Sequence, residues 1–431
     1  MNKAKIILLI TLFIFVTSTI NAQSPQDTSL NTSWATTKKM LSKFSDRVPS
    51  MGGTFALVEK GKIIGQYYFG FANRERKIKV NNQTLFPVGS ISKLITAIAI
   101  FQLQEKGKLS LNDPVTKYIP ELKKAPKDFG GFDSVRIHHL INHTTHYDRG
   151  VALYRQFEKD NPRFKEQESY CFDDLKPYFH LFKFTGKPGT KHLYSNWGYS
   201  FLGVIVERAS RMKYQRYIHK KILKPLRMTS SYFGATNKHR QKCLAKCYTV
   251  DSNGVINKGI QPTYDQCFSE ANGGLKSTVG DMLKLMNFFT GSGSKSEISK
   301  YNRVLKRATI NEYLTINDEN IKNPKKLAYS HKYKTYKRGK LSCLTFLTFS
   351  DVSQSYLGHD GYIYDYKSSC YWKKDKNIGI IWMSNTVGPK NSDEFAFSKI
   401  LISLQNQFLV KQAVKDRTWE DYLKILKIKR K

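Results

Sequence analysis

Three short residue sets in this chain have types and spacings that can do chemistry. The first is Ser90-Ile-Ser-Lys93. Residues three apart share a face of a helix, so a Lys93 amine can reach the Ser90 hydroxyl. A serine hydroxyl is a poor nucleophile until a base takes its proton. A lysine serves as that base only if burial disfavours its charged form. The second set is Tyr194-Ser-Asn196, after the turn signal Lys187-Pro-Gly-Thr. A phenol titrates near pH 10 in water and can relay a proton between a serine and a leaving group. The third is His359-Asp-Gly361-Tyr362, holding the one histidine of ten that is followed two residues later by glycine. Gly361 allows close approach of a substrate to the backbone, and the Tyr362 N–H can donate to a developing oxyanion beside the Ser90 N–H.

The elements around Ser90 separate this serine from chance matches. From Ile91 to Leu103 nearly every position is apolar, so the helix that follows is buried rather than amphipathic. Gly107 is a natural stop. The helix start supplies backbone N–H groups and a positive dipole end where negative charge would develop. The same pattern occurs at Ser210-Arg-Met-Lys213 and Ser292-Gly-Ser-Lys295, but neither opens a buried helix.

The chain has 431 residues, enough for two or three folding units. It opens Met-Asn-Lys-Ala-Lys, then an apolar run from Ile6 to Val16, then small and polar residues to Ala22. That order describes an export leader cleaved after Ala22, with an apolar run too short for a membrane span. Export, to the periplasm or beyond the cell, is the expectation. The six cysteines, Cys171, Cys243, Cys247, Cys267, Cys343 and Cys370, permit disulfides there in any of 15 pairings. Cys243 and Cys247 lack a second Cys or His pair at finger-like spacing, so no metal is expected. No cofactor motif is present either.

The formal net charge is +37. Such a charge draws anionic partners, so contact with anionic envelope surfaces is expected. Nucleic-acid binding is not expected, since charge alone reads no sequence and export separates the two.

Strand patterns lie at both ends: Gly52 to Val58 and Ile63 to Phe71 as a hairpin, then Leu344 to Phe349, Gly361 to Trp372 and Ile378 to Asn385. Helical patterns fill the middle, and Thr278 is an N-cap with Asp281 three residues on. Helices are also read at Trp34 to Phe44, Tyr199 to Ala209 and Phe395 to Val414. The organisation read is a leader at 1–22, a discontinuous α/β sheet domain from 23–85 and 340–415, a mainly helical domain at 86–339 carrying the Ser90 helix, and a basic C-terminal tail at 416–431.

In this order, 104 and then 165 residues apart, the three sets resemble those of the serine β-lactamase-like family of penicillin-recognising enzymes. The nearest branch is that of class C β-lactamases, esterases and D-Ala-D-Ala peptidases. The resemblance runs from roughly Gly52 to Phe408. It extends to Lys108-Leu-Ser-Leu-Asn-Asp-Pro, Leu140-Ile-Asn-His-Thr-Thr, Lys224-Pro-Leu-Arg-Met-Thr and Asn272-Gly-Gly-Leu-Lys-Ser-Thr. It implies an antiparallel sheet flanked by helices, with an inserted all-helical domain and the site at their junction. It implies Ser90 as acyl-accepting nucleophile, Lys93 as its base, Tyr194 as proton shuttle and Asn196 as a contact to the substrate amide or acyl side chain. His359 takes the place of the lysine that true β-lactamases carry in the third set. A neutral imidazole offers a substrate carboxylate less than an ammonium does. His146 stands where the family usually has glycine, and a change in the pocket wall is expected from it.

The resulting expectation is a hydrolase acting through an acyl-enzyme on a small ester, a D-amino-acid amide, a peptide or a cell-wall fragment. The alternatives are a true β-lactamase or D-Ala-D-Ala carboxypeptidase, and a silent relative that binds an envelope polymer.

Overall fold

The computed structural model describes residues 28–148, 150–162, 170–190, 193–314, 356–373, 375, 377–390, 392–411 and 413–426. The leader read at 1–22, the strand read at Leu344–Phe349, Cys343 and residues 427–431 lie outside them.

Five strands form the main sheet: β1 (Gly53–Glu59), β2 (Lys62–Phe69), β3 (Leu357–Ile363), β4 (Tyr366–Lys373) and β5 (Ile378–Ser384). Their order is β2-β1-β5-β4-β3, and every pairing is antiparallel. The two chain ends thus interleave in one sheet, with β1 from the N-terminal hairpin lying against β5. The strands are apolar on both faces because both are covered. Phe55 and Leu57 of β1, with Ile380 and Trp382 of β5, pack against helices α1 (Thr28–Ser45) and α8 (Asp393–Asn406). Their neighbours Ala56, Val58, Ile381 and Met383 join a second core built around α2 (Ser92–Glu105) and α7 (Val279–Thr290). Side chains alternate along a strand, so one apolar run feeds two cores.

Between β2 and β3 the chain is mostly helical. Besides α2 and α7 it contains α3 (Val151–Asp160), α4 (Asn196–Ser210), α5 (Tyr214–Ile218) and the single turn α6 (Glu270–Gly273), with short two-stranded ladders between them. The helix α2 runs through the centre: every residue from Ser92 to Leu103 is buried. Thr278 does cap α7, accepting from the Asp281 N–H.

Three readings are corrected. Gly361 to Trp372 is not one strand but the hairpin β3–β4, turning at Tyr364 (φ +51°) and Asp365. Asp365 favours a turn but stands alone among aromatic and β-branched residues, so the strand pattern ran on through it. The helix read to Val414 ends at Asn406 and passes into a wider turn, Gln407–Lys411. Within the stretch read as a basic tail, α9 (Trp419–Ile425) starts on a Thr418 cap and buries Trp419 and Tyr422 beside Phe44. Removing two such side chains empties a packed site, at about 3–5 kcal/mol for a large aromatic. Truncation at residue 415 is therefore expected to lower the denaturant midpoint sharply; an unchanged midpoint would mean that α9 adds nothing to the core.

Among the described residues Cys171 and Cys267 form a disulfide. Cys247 and Cys370 are buried thiols pushed up to about 12 by desolvation, and Cys243 is half-buried.

Candidate active site

Ser90 sits on a tight turn, Gly89–Ile91, that opens α2. The turn is pinned by Ser92, whose hydroxyl donates to the Gly89 carbonyl at 2.6 Å and accepts from the Leu275 N–H at 3.0 Å. Gly89 has φ +50°, and a side-chain carbon on it would lie 2.8 Å from the Tyr362 nitrogen. Glycine is needed on both counts.

One turn along α2, Lys93 has no solvent exposure. Its Nζ lies 2.9 Å from Ser90 Oγ and 2.7 Å from the Asn272 carbonyl. Desolvation holds its ammonium well below the ordinary lysine range. The free amine can donate one hydrogen to Asn272 and offer its lone pair to the Ser90 proton. Asn272 is held by α6, which is tied to α2 where Thr96 donates to the Ala271 carbonyl at 2.6 Å. By contrast Lys213 and Lys295, in the two chance matches, are exposed.

Tyr194 brings its hydroxyl 2.9 Å from Ser90 Oγ. Its place is fixed by the start of α4. Ser195 caps that helix by accepting from the Gly198 N–H, and its hydroxyl pairs with Tyr147 at 2.9 Å. His143 backs the phenol, its ring centroid 4.3 Å from that of Tyr194, while its Nδ1 accepts from the Ser195 N–H and its carbonyl from the Leu193 N–H. His143 falls in a stretch that resembles the family, but nothing in its spacing announces this bracing role.

Asn196 is the first residue of α4 and is exposed. With Tyr194, Ser200, Asn272, Tyr154 and Tyr170 it lines a cavity of about 500 Å³. The cavity's far wall runs through Phe268 and Ser269, next to the Cys171–Cys267 disulfide, where Phe268 N–H also donates to the Tyr170 carbonyl. Reduction frees that wall. The expected result is a several-fold rise in KM for substrates that fill the cavity with little change for small esters, measured before and after reductant; parallel changes for both would contradict it.

His359 lies on β3 and is 2 % exposed. Its Nδ1–H donates to the Asp360 carbonyl, which cannot itself donate, so this tautomer is fixed. Nε2 therefore carries a lone pair, and it has no hydrogen-bond partner among the described residues. The ring centroid is 6.4 Å from that of Tyr194. Burial first, then Lys93, lower its pKa from 6.5 to about 3. A folded pKa below the unfolded one means stability present above pH 6.5 and lost as pH falls toward 3. His359→Gln should flatten the loss of thermal stability across that window; identical pH curves for the two proteins would rule this out.

Gly361 completes the junction. A side-chain carbon there would sit 1.9 Å from the Val88 carbonyl oxygen and 2.3 Å from Ser368 Oγ. The edge strand therefore lies directly against the segment leading into Ser90. This places the Tyr362 nitrogen beside Gly89, while the Tyr362 ring is 61 % exposed.

Ser90, Lys93 and Tyr194 are thus joined by direct hydrogen bonds, His359 and Gly361 adjoin them from β3, and Asn196 stands at the cavity wall. His146 is a correction. Its φ is +61°, as the usual glycine would suit, but its ring is 7 % exposed and bonds Thr190 Oγ1 at 3.1 Å. It braces the Thr185–Thr190 turn and is not among the residues lining the cavity.

A buried Ser-x-x-Lys pair with a tyrosine on the same hydroxyl, at the edge of an antiparallel sheet, defines an active-site serine hydrolase architecture. The Beta-lactamase family model matches residues 38–405, and the chain belongs to that family. Human serine beta-lactamase-like protein LACTB, mitochondrial, is 28% identical over 308 residues, covering 58% of this chain and 55% of that protein. Protein flp of Staphylococcus aureus is 28% identical over 186 residues, 43% of this chain and 35% of flp. The chain thus spans about half or less of these curated relatives. Among solved structures, the D-amino acid amidase of Ochrobactrum anthropi has a TM-score of 0.65 at 19% identity, covering 92% of this chain and 99% of that one. A class C beta-lactamase with cefoxitin has a TM-score of 0.63 at 19% identity, covering 88% and 99%. These likenesses show the shared fold. Among the described residues no helix is long and apolar enough to cross a membrane.

Proposed function

We propose that this chain is an exported serine hydrolase that works through an acyl-enzyme on Ser90 and cleaves an ester or a D-amino-acid amide. The observation that carries the reading is the pair of 2.9 Å contacts on Ser90 Oγ, from a fully buried Lys93 and from Tyr194. Ser90 Oγ attacks the carbonyl carbon as the Lys93 amine takes its proton. The N–H groups of Ser90 and Tyr362 receive the oxyanion. The proton passes through Tyr194 to the leaving oxygen or nitrogen, whose bond to carbon breaks. Water, activated by the same pair, then releases the acyl group.

His359 decides between substrate types in this reading. It presents a lone pair, not a cation, beside the nucleophile. A carboxylate there would meet no positive partner from this residue, whereas a substrate N–H or O–H would find an acceptor in Nε2. That favours neutral esters and amides over β-lactam acids. The test is a parallel assay of p-nitrophenyl esters, D-amino-acid amides and nitrocefin with the chain from Gln23 onward. Turnover of the first two with weak or absent nitrocefin hydrolysis is expected; efficient nitrocefin hydrolysis alone would replace this reading with that of a β-lactamase. Export predicts a mature N-terminus at Gln23, read by N-terminal sequencing.

A further inference from the structure

The positive charge is not evenly spread. Residues 208–250 include twelve Lys and Arg and neither Asp nor Glu. The helix α5 and the wider helical turn after it, His219–Leu223, fold part of this stretch into one ridge. Tyr217, Ile218, Ile222 and Leu223 face inward and join the core around α2. Lys213, Arg216, Lys220, Lys221, Lys224 and Arg227 are exposed, at steps of three or four along most of the ridge, which keep them on the outer side.

Acidic groups stand at the two ends of this ridge: Glu207 accepts from the Tyr214 N–H, Asp265 accepts from the Gln215 side chain, and Glu297 lies near enough to Arg227 to feel its charge. None of the six makes an ion pair among the described residues. Along its middle, further lysines extend it. Lys106 and Lys108, exposed at the end of α2, lie close enough that Lys221 and Lys108 add to the burial that lowers the Lys106 pKa. The acid on that side, Glu105, is engaged by the Lys306 N–H and by Thr309. Like charges so crowded destabilise the compact state, and an anionic partner would relieve the repulsion.

The surroundings select the kind of partner. The large apolar side chains exposed on the described surface are Ile78, Phe129, Val151, Val255, Tyr362 and Ile425. None is on the ridge, so it offers no apolar anchor for a bilayer, and its one exposed ring, His219, is no platform for a run of stacked bases. Flexible, hydrated lysines suit repeated anionic groups on a hydrophilic chain. We propose that the Lys213–Arg227 ridge is a docking surface for an anionic polysaccharide, one carrying carboxylate or phosphate groups at regular spacing. The proposal does not depend on the reaction assigned to Ser90.

The test compares two fourfold variants of the mature chain with wild type. One carries Arg216→Gln, Lys220→Gln, Lys221→Gln and Lys224→Gln. The other removes as many exposed charges elsewhere: Lys38→Gln, Lys43→Gln, Lys123→Gln and Lys124→Gln. Thermal melts check that both stay folded. The probe is fluorescent polygalacturonate at about 150 mM salt, where charges beyond a short distance are screened. The ridge variant should bind at least about tenfold more weakly and the control variant within about twofold of wild type. Equal weakening in both would show a diffuse charge effect and overturn the site. No binding by wild type would overturn it as well. Tighter binding to single-stranded DNA or anionic vesicles than to polygalacturonate would overturn the choice of partner.

Discussion

Replacing Ser90 by Ala is expected to remove hydrolysis of short-chain p-nitrophenyl esters, with kcat/KM falling by about a thousandfold or more. Lys93→Ala should fall as far, because both residues act on the same proton and such losses do not add. Lys93→Arg is the sharper variant. Arginine has a comparable reach but stays protonated at any accessible pH. It should therefore be as inactive as Lys93→Ala, although a charge-only role would preserve activity. The buried lysine also sets the pH profile. Its amine must be free, so activity should rise with pH through a pKa well below the ordinary 10.5. His359, already neutral above about pH 3, should add no inflection between pH 5 and 8. Turnover in Ser90→Ala equal to wild type would end the acyl-enzyme reading at once.

Gly361→Ala is the second large effect. The added carbon would meet the Val88 carbonyl at 1.9 Å, a contact with backbone that no rotamer change can relieve. Strand β3 would have to move away from the turn that carries Ser90. Overpacking of this kind costs about 1–3 kcal/mol or more, and the displaced Tyr362 N–H would leave the oxyanion with one donor fewer. Loss of one such donor costs about 10²–10³ in kcat. Both a lower melting temperature and a kcat deficit are expected. Gly280→Ala is the control. It lies in α7, where the nearest foreign atom to an added carbon is 3.9 Å away, so alanine should be neutral or slightly stabilising. Equal behaviour of the two variants would mean that β3 does not hold the Ser90 turn in place.

How far the site could be read from the chain alone varies by residue. Ser90 and Lys93 were legible because their relation is local: three residues apart on a helix whose apolar surround predicts burial. The cap at Thr278 was legible for the same reason. The strand patterns at both ends gave the α/β class, since two-sided burial leaves a continuous apolar run. Tyr194 and His359 are another matter. Alone, each is one tyrosine of 25 or one histidine of ten, and only their order along the chain, by family resemblance, singled them out.

Composition and local spacing thus settled the buried Ser90–Lys93 pair, the mixed α/β class and the strongly cationic character of the chain. Long-range packing settled the rest. That β3 lies at the sheet edge against Val88, that α6 aims the Asn272 carbonyl at Lys93, and that Cys171 rather than another thiol meets Cys267 are contacts between residues far apart in sequence. No periodicity encodes them. The same holds for His143 behind Tyr194, for His146 turned away from the cavity and for α9 docked where a basic tail was read. In each case a side chain's role depends on which distant surface excludes water from it, and that is fixed when the layers close.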